Sequence, residues 1–170
     1  MYKISCFKPI ADTNSKILIL GSMPGKQSLK LQQYYAHPRN LFWHIMHELL
    51  GIDYSLPFSE KINLLLSLKI AVWDVLQSCI RESSLDSDIQ NNSIIANDFA
   101  SFFLEHKNIT HVFFNGSKAE EYYKKHVLSK LQHLNINYKK LPSTSPANAS
   151  IKYKDKIEAW KSILDVISYK

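Results

Sequence analysis

The sequence predicts an α/β fold: a three-layer sandwich in which a central, mostly parallel, four-stranded sheet is flanked by helices. Short apolar runs alternate along the chain with longer stretches of helical periodicity, which is the pattern of layered α/β proteins. Polar or turn residues follow each apolar run at once, as they do where strands end beside a binding site. The length of 170 residues and the 45% hydrophobic content suit a single domain, 1–170, with a substantial core.

Four short apolar runs bounded by polar or turn residues are predicted to be strands. In chain order they are Ile17–Leu20, Ile70–Trp73, His111–Phe114 and Tyr138–Leu141. The segments that follow them are Gly21-Ser22, Asp74, Asn115-Gly116 and residues 142–148. If the strands are parallel neighbours, these four segments converge on one edge of the sheet, and this convergence predicts an active site there.

Four stretches carry apolar residues at helical spacing and are predicted to be helices. They are Arg39–Leu50, Asp98–Glu105, Ser117 to about Leu131, and about Tyr153 to Ser168. The third is predicted to begin with a capping box, in which the side chains of Ser117 and Glu120 satisfy backbone N–H groups. In the fourth, Trp160 and its apolar neighbours should pack on the sheet.

Composition narrows the class of protein and the kind of partner. No run of about 18 apolar residues predicts a membrane span, and the first residues lack the apolar segment of a signal peptide. Two cysteines are too few for a disulfide framework or an iron–sulfur cluster, so we expect a reduced, cytoplasmic protein associated with the nucleoid. The net charge of +6 favours a polyanionic partner, although the lysines of the last helix are equally explained as its solvated face.

The loop Gly21–Gly25 (GSMPG) follows the first predicted strand directly. Gly21 and Gly25 permit a close approach of the backbone to a ligand, but the loop alone is equally consistent with an ordinary strand-to-helix turn. Tyr34 and Tyr35 follow, and two adjacent aromatic residues are not spaced as a helix core. We expect one of them to stack on a flat ring and the other to close the core.

Several common chemistries have no motif in this chain. The dinucleotide-binding, Walker, nucleophile-elbow and zinc-protease motifs do not occur. His44 and His47 lie three residues apart on a predicted helix, but no third ligand follows at a recognisable spacing. We therefore expect neither a metal nor another cofactor.

Taken together, the motifs resemble those of the uracil-DNA glycosylase superfamily. Gly21–Gly25 is similar to its first motif, and His37–Trp43 (HPRNLFW) to the H-P-x-N-x-F-W segment of the mismatch-specific uracil/thymine branch. Leu141–Asn148 resembles the second motif, which borders the base pocket and carries the loop that enters the duplex. The combination of Tyr34–Asn40 with Ser143–Asn148 most resembles the hypoxanthine-DNA glycosylase branch.

The resemblance implies a monofunctional glycosylase that flips a deaminated base, hypoxanthine or uracil, out of DNA and hydrolyses its bond to the sugar with water. The base-binding residues it implies are Gly21, Ser22, Met23, Pro24, Gly25, Tyr34, Tyr35 and Asn115. The DNA-binding residues it implies are Arg39, Ser143, Thr144, Ser145, Pro146, Ala147 and Asn148. Without the resemblance, the serines from 143 to 145 are as well explained by a surface turn. The expected partner is DNA containing a deaminated base, bound by a monomer that needs no protein partner and no membrane.

One departure from the superfamily pattern concerns Met23. Most members carry Asp or Asn there to orient the attacking water, and a thioether cannot do this. Asn40 is the residue we expect to take the role, and the resembled branch implies the same relocation. Asp74 and His37 are the reserve candidates. The alternative for Asn40 is a residue at a helix start that hydrogen-bonds the local backbone.

Three other functions fit parts of the pattern. A mismatch-type uracil/thymine-DNA glycosylase would share most of the motifs. A DNA-binding protein that has lost the chemistry would explain Met23. An α/β enzyme acting on free nucleotides would explain the aromatic residues and the Gly/Pro loop, but it leaves the basic charge without a role.

Overall fold

A computed structural model describes residues 2–167, and a parallel four-stranded sheet lies at its centre. The strands in that range are β1 (Lys3–Ser5), β2 (Ile17–Gly21), β3 (Ile70–Asp74), β4 (Leu76–Ile80), β5 (Ile95–Ala96), β6 (His111–Asn115) and β7 (Asn137–Leu141). The central sheet has the order β3-β2-β6-β7, and all three of its pairings are parallel. The four predicted strands are confirmed, each within one residue of its predicted ends.

The direction in which the sheet is wound reverses between β2 and β6. From β2 the chain passes to β3 on one side, and the next strand of this sheet, β6, pairs with the other side of β2. Ligands of open α/β sheets bind beyond the carboxyl ends of the strands at such a point. Those ends are Gly21, Asp74 and Asn115. The topology therefore brings three predicted site residues to one edge.

A second, antiparallel sheet of order β1-β4-β5 was not predicted from the sequence. Only Val75 separates β3 from β4, and the sequence at that point carries no Gly or Pro that signals a turn. Backbone bonds from Val75 N–H to Gly21 C=O and from Leu76 N–H to Ser22 C=O direct the chain out of the parallel sheet. β4, which was not predicted, therefore begins at the point where these backbone hydrogen bonds tie the chain to the loop after β2.

Seven α-helices lie in the described range. They are α1 (Lys26–Leu31), α2 (Phe42–Leu50), α3 (Phe58–Ser67), α4 (Phe99–Glu105), α5 (Ser117–His126), α6 (Tyr153–Trp160) and α7 (Ser162–Ile167). The prediction that a helix begins at Arg39 is wrong, because a turn closed by the Asn40 N–H and the His37 C=O occupies that segment. The predicted capping box is also wrong: Gly116 is the N-cap, with φ 96°, and no side chain caps the helix.

Two predicted helices are interrupted. The helix predicted from Ser117 to Leu131 ends at His126, and a short 3₁₀ turn follows after Val127. The helix predicted from Tyr153 to Ser168 divides at Lys161 into α6 and α7, and Ser168 lies outside the described residues. The hydroxyl of Ser162 donates to the Ala159 carbonyl, and such side-chain bonds compete with the helical ladder.

Helices cover both faces of the central sheet. Every residue of β2 and β3 is buried, which requires a layer on each side. Phe42 of α2 packs edge-on against Trp160 of α6, while Phe99 of α4 packs edge-on against Tyr123 of α5. The predicted three-layer α/β architecture is therefore confirmed. No helix between residues 2 and 167 is both long and apolar enough to cross a bilayer.

Candidate active site

A cavity of about 150 Å³ opens at the carboxyl edge of the parallel sheet. The predicted site residues that line it are Gly21, Ser22, Met23, Pro24, Gly25, Tyr34, Tyr35, His37, Asn40, Asp74, Asn115, Ser143, Thr144, Ser145 and Pro146. Three predicted DNA-binding residues, Arg39, Ala147 and Asn148, lie outside the lining, and the first two are exposed. Four segments that are far apart in sequence thus meet around one cavity.

Gly21 ends β2 and lines the cavity. A Cβ atom built on Gly21 would lie 2.5 Å from Oδ1 of Asp74 and 3.2 Å from the hydroxyl of Tyr35. Only a glycine leaves room for both groups, so the sequence requirement at this position is steric. The carboxylate and the phenol are consequently packed against the same point of the backbone, inside the site.

The two adjacent tyrosines play different structural parts. Tyr34 is 5% exposed, its hydroxyl donates to the Lys8 carbonyl at 2.9 Å, and its ring meets Phe7 edge-on. Tyr35 stacks on Phe42 with ring centroids 4.2 Å apart. Its φ of 54° is a left-handed conformation that is uncommon for a residue with a side chain, and such outliers cluster at functional sites. Tyr34 closes the core beside the cavity, while Tyr35 forms part of an aromatic stack in its wall.

Asn40 sits in the turn that leads into α2 and lines the cavity. Its Oδ1 accepts a hydrogen bond from the Phe42 N–H at 2.9 Å. His37 lies in the same turn, where its Nδ1 accepts from the Arg39 N–H at 3.1 Å. The amide oxygen of Asn40 therefore organises the helix start, as the structural alternative predicted, while the residue borders the cavity.

Asn115 at the end of β6 is held by the loop that follows β7. Its Oδ1 accepts from the Thr144 N–H at 2.9 Å, and its Nδ2 donates to Thr144 Oγ1 at 3.0 Å. Thr144 is fully buried, and its carbonyl accepts from the Leu41 N–H at 3.0 Å. The residue that points into the cavity from β6 thus also joins the second-motif loop to the turn before α2.

The loop from residue 143 to residue 148 is ordered by its own polar groups. Ser143 Oγ accepts from the Ser145 N–H, and Ser145 Oγ accepts from the Ala147 N–H. A buried lysine, Lys156 of α6, donates from Nζ to the Asn148 carbonyl at 2.7 Å. The loop therefore presents the exposed Ala147 on a fixed backbone.

A partly buried ionic network that was not predicted from the sequence supports the loop Gly21–Gly25. Arg81, whose side chain is 1% exposed, donates from Nη2 to the Pro24 carbonyl and lies 3.4 Å from Asp86 Oδ1. The hydroxyl of Ser22 donates to Asp86 Oδ2 at 2.7 Å. Other lining residues that the sequence did not predict are Lys26, Gln27, Ser28 and Ser84. Asp86 lies in a Ser-rich stretch, 64 residues from Ser22. The sequence therefore carries no signal for this contact.

Two carboxylates in this site have raised pKa values. Burial, and to a smaller extent repulsion from Asp86, raise the pKa of Asp74 to about 7 against the attraction of Arg81. The pKa of Asp86 is also raised by burial, against the Ser22 hydrogen bond and the charge of Arg81. Asp74 therefore changes its charge near neutral pH, which is a property typical of residues that act on a substrate.

Between residues 2 and 167, no three His, Cys, Asp or Glu side chains are grouped so that they can hold an ion. The histidine pair singled out from the sequence lies against Tyr54, with ring centroids 4.4 Å from His44 and 5.3 Å from His47.

Comparison with known proteins finds relatives in the superfamily that the motifs of this site resemble. The family model of the uracil DNA glycosylase superfamily matches residues 7–164. A protein of Methanosarcina acetivorans called hypoxanthine DNA glycosylase is 34% identical over 158 residues, which are 92% of this chain and 95% of the relative. A protein of Methanosarcina barkeri with the same name is 38% identical over 117 residues, which are 68% of this chain and 73% of the relative.

A solved structure agrees with the fold. The solution NMR structure of a candidate uracil DNA glycosylase from Methanosarcina acetivorans superposes with a TM-score of 0.82, at 31% identity, over 99% of this chain and 100% of that one. The family match covers most of the chain, and the superposed fold carries the same architecture. The chain therefore belongs to the uracil DNA glycosylase superfamily.

Proposed function

We propose that this protein is a DNA glycosylase that hydrolyses the N-glycosidic bond of a deaminated base, with hypoxanthine as its first substrate and uracil as its second. The observation that carries the proposal is the cavity beside the Tyr35–Phe42 stack, where the residues of both superfamily motifs meet. The names of the two Methanosarcina relatives support hypoxanthine as the base.

The shape of the cavity suits a flat ring that has left the DNA duplex. A glycosylase must extrude its target nucleotide, at a cost of a few kcal/mol that is least for a mispaired base. Hypoxanthine opposite thymine is mispaired, so the damage itself favours extrusion. A volume of about 150 Å³ is close to that of cavities that hold one six-membered ring, the size of uracil. Hypoxanthine has a second, fused ring, which must extend with the sugar toward the open side of the cavity.

Asn40 orients the attacking water in this proposal. The Phe42 N–H occupies one lone pair of its Oδ1 and fixes the amide. The second lone pair of Oδ1 can accept a hydrogen bond from a water, whose own lone pair is then free to attack the sugar. Met23, where most of the superfamily has Asp or Asn, is 7% exposed and offers only a thioether. The backbone amides of Gly21–Gly25 face the departing base and stabilise its developing negative charge.

The DNA-facing surface is formed by the second-motif loop and the turn before α2. Ser143 and Ser145 contact phosphates, Arg39 adds a positive charge, and Ala147 with Asn148 fills the space left by the extruded base. The net charge of +6 favours binding of the polyanionic duplex. We propose that a monomer acts alone, with neither a cofactor nor a protein partner.

The decisive test is base release from end-labelled duplexes that carry a single inosine or uracil. We expect hypoxanthine to be released faster than uracil, and the strand to break only after alkali, because the product is an intact abasic site. Lys26, the lysine in the cavity lining, is exposed, and an exposed lysine is a poor nucleophile at neutral pH. Faster release of uracil would overturn the choice of base, and strand scission without alkali would overturn the water mechanism.

A second prediction concerns Asn115, which faces the cavity from the end of β6. We expect Asn115→Ala to lower the selectivity for damaged bases by about fivefold while affinity for undamaged duplex changes less, because a neutral hydrogen bond contributes about 1 kcal/mol. Base release and duplex affinity measured side by side distinguish the two effects.

The matched control for Asn115 is Thr144→Val, which removes the hydroxyl bonded to Nδ2 but keeps the N–H bonded to Oδ1. This variant should keep its base selectivity. If Asn115→Ala and Thr144→Val lose binding to undamaged DNA equally, the role of Asn115 is to hold the loop rather than to contact the base.

A further inference from the structure

Two side chains of α6 hold the two ends of the loop 142–148, which follows β7. Trp160 donates from Nε1 to the Pro142 carbonyl at 2.9 Å, and Lys156 donates from Nζ to the Asn148 carbonyl at 2.7 Å. The two donors are four residues apart, so they lie on the same side of the helix, separated along its axis by about 6 Å. One face of α6 therefore fixes both the start and the end of the loop.

The loop between these two points turns back on itself. Asn148 closes it, since its Nδ2 donates to the Ser143 carbonyl at 3.2 Å and its backbone N–H donates to the Ser145 carbonyl at 3.0 Å. Ala147, which is exposed, is left at the tip of the closed loop. The position of this tip is therefore set by the hydrogen bonds at the two ends.

Lys156 is a buried charge without an acidic partner. The residue is only 2% exposed. None of the ion pairs between residues 2 and 167 includes it, so its ammonium group is compensated by the Asn148 carbonyl rather than by a carboxylate. Burying a charge without an opposite charge costs free energy. Stability alone therefore does not explain a lysine at this position, whereas a role in holding the loop does.

Trp160 joins the start of the loop to the wall of the cavity. It is fully buried, and its ring packs edge-on against Phe42, which stacks on Tyr35. Thr144 adds another attachment through its two hydrogen bonds to Asn115. The loop, the aromatic wall and the end of β6 are therefore packed as one unit, and the tip has a fixed position relative to the cavity.

We propose that Lys156 and Trp160 are positioning residues, which hold the loop 142–148 in the shape that fills the space left by an extruded base. The inference rests on the proposed function, in which Ala147 and Asn148 occupy that space. A loop that already has its bound conformation loses little conformational freedom when it enters the duplex, and this raises affinity. The gain applies to DNA with a gap in its base stack, because an intact duplex offers the tip no space.

The test compares the affinity of the protein for two duplexes of one sequence, measured by fluorescence anisotropy. One duplex is intact, and the other carries a tetrahydrofuran abasic analogue, which removes one base but keeps every phosphate. The native protein should prefer the abasic duplex. Lys156→Met keeps an unbranched side chain without the charge or the donor. It should lower this preference about tenfold, the lower end of the range for a hydrogen bond from a charged group.

A second variant and a matched control accompany this change. Trp160→Phe removes the Nε1 donor but keeps an aromatic ring, and it should lower the preference about fivefold, since a neutral hydrogen bond contributes less. Lys154→Met is the control, because it removes the same charge from an exposed residue of α6. It should keep the native preference, whatever the loss of one positive charge does to the affinity for both duplexes.

The preference separates positioning from a general loss of structure. A folding defect, or weaker contacts with phosphates, would lower the affinity for both duplexes by the same factor and leave the preference unchanged. An unchanged preference in both Lys156→Met and Trp160→Phe therefore overturns the proposal. A native protein that binds the two duplexes equally overturns it too.

Base release from inosine-containing duplex, measured on the same proteins, keeps this proposal apart from the proposed function. Release by the native protein, together with an unchanged preference in the two variants, would reject the positioning role and keep the glycosylase. No release from any duplex, together with a preference for the abasic duplex that depends on Lys156, would reject the glycosylase and keep the positioning role.

Discussion

Replacing Asn40 by alanine is expected to lower the rate of hypoxanthine release by about a hundredfold, the order of loss expected when a reacting group is no longer held in position. Asn40 lines the cavity from the turn before α2, and Met23 cannot orient water. The measurement is single-turnover base release from duplex carrying one inosine, with enzyme in excess, so that the chemical step is not masked by product release.

The structure also shows why an alanine variant alone would be ambiguous. Asn40 Oδ1 accepts from the Phe42 N–H at the start of α2, and losing such a bond costs about 1 kcal/mol of stability. Asn40→Ser is the matched control, because serine restores an acceptor at the helix start without an amide group. The serine variant should melt close to the native protein and remain inactive. Release within a few fold of the native rate in either variant would remove Asn40 from the mechanism.

The parts of the fold that the sequence predicts are those encoded by local pattern. Each strand of the parallel sheet is a short run bounded by turn residues, so the strands were found to within one residue. β4 was missed because it continues β3 after a single residue and its change of direction is caused by bonds to Gly21 and Ser22. The helix predicted from Arg39 begins three residues late because Asn40 bonds the backbone, which is a local competition that periodicity does not register.

The site residues also divide into those that local pattern predicts and those that depend on distant contacts. Gly21, Asp74 and Asn115 follow strands, so their meeting at one edge follows from the topology. The pair Tyr34 and Tyr35 cannot be told apart by sequence, since their roles depend on a left-handed backbone at the second tyrosine. The contacts of Arg81 and Asp86 with Pro24 and Ser22 join segments about sixty residues apart, and no spacing rule predicts them.

Asp74 should destabilise the native fold at neutral pH and above. Its pKa is about 7 in the folded chain, against 3.8 for an ordinary Asp. Below pH 4 the group is neutral in both states and has no effect. Between the two values the unfolded chain binds fewer protons than the folded one, so stability falls as pH rises, and above pH 7 the loss is constant.

The expected result for Asp74→Asn is therefore a gain in the free energy of unfolding that depends on pH. The difference from the native protein should grow by about 3 kcal/mol between pH 5 and pH 8, since one pKa unit corresponds to about 1.36 kcal/mol. At pH 8 the net gain should be about 1–3 kcal/mol, because the buried amide itself lacks a partner for one atom. Urea unfolding at four pH values between 5 and 8 measures this slope.

Asp88→Asn is the control for the loss of one negative charge, because Asp88 is exposed. The difference between its free energy of unfolding and that of the native protein should stay nearly constant between pH 5 and pH 8. A flat difference for Asp74→Asn as well would mean that Asp74 titrates normally and that its carboxylate is solvated rather than buried. A slope of the expected sign would show that the site keeps a buried carboxylate at the expense of stability. Such opposition between stability and function is common where a site must hold a charge out of water.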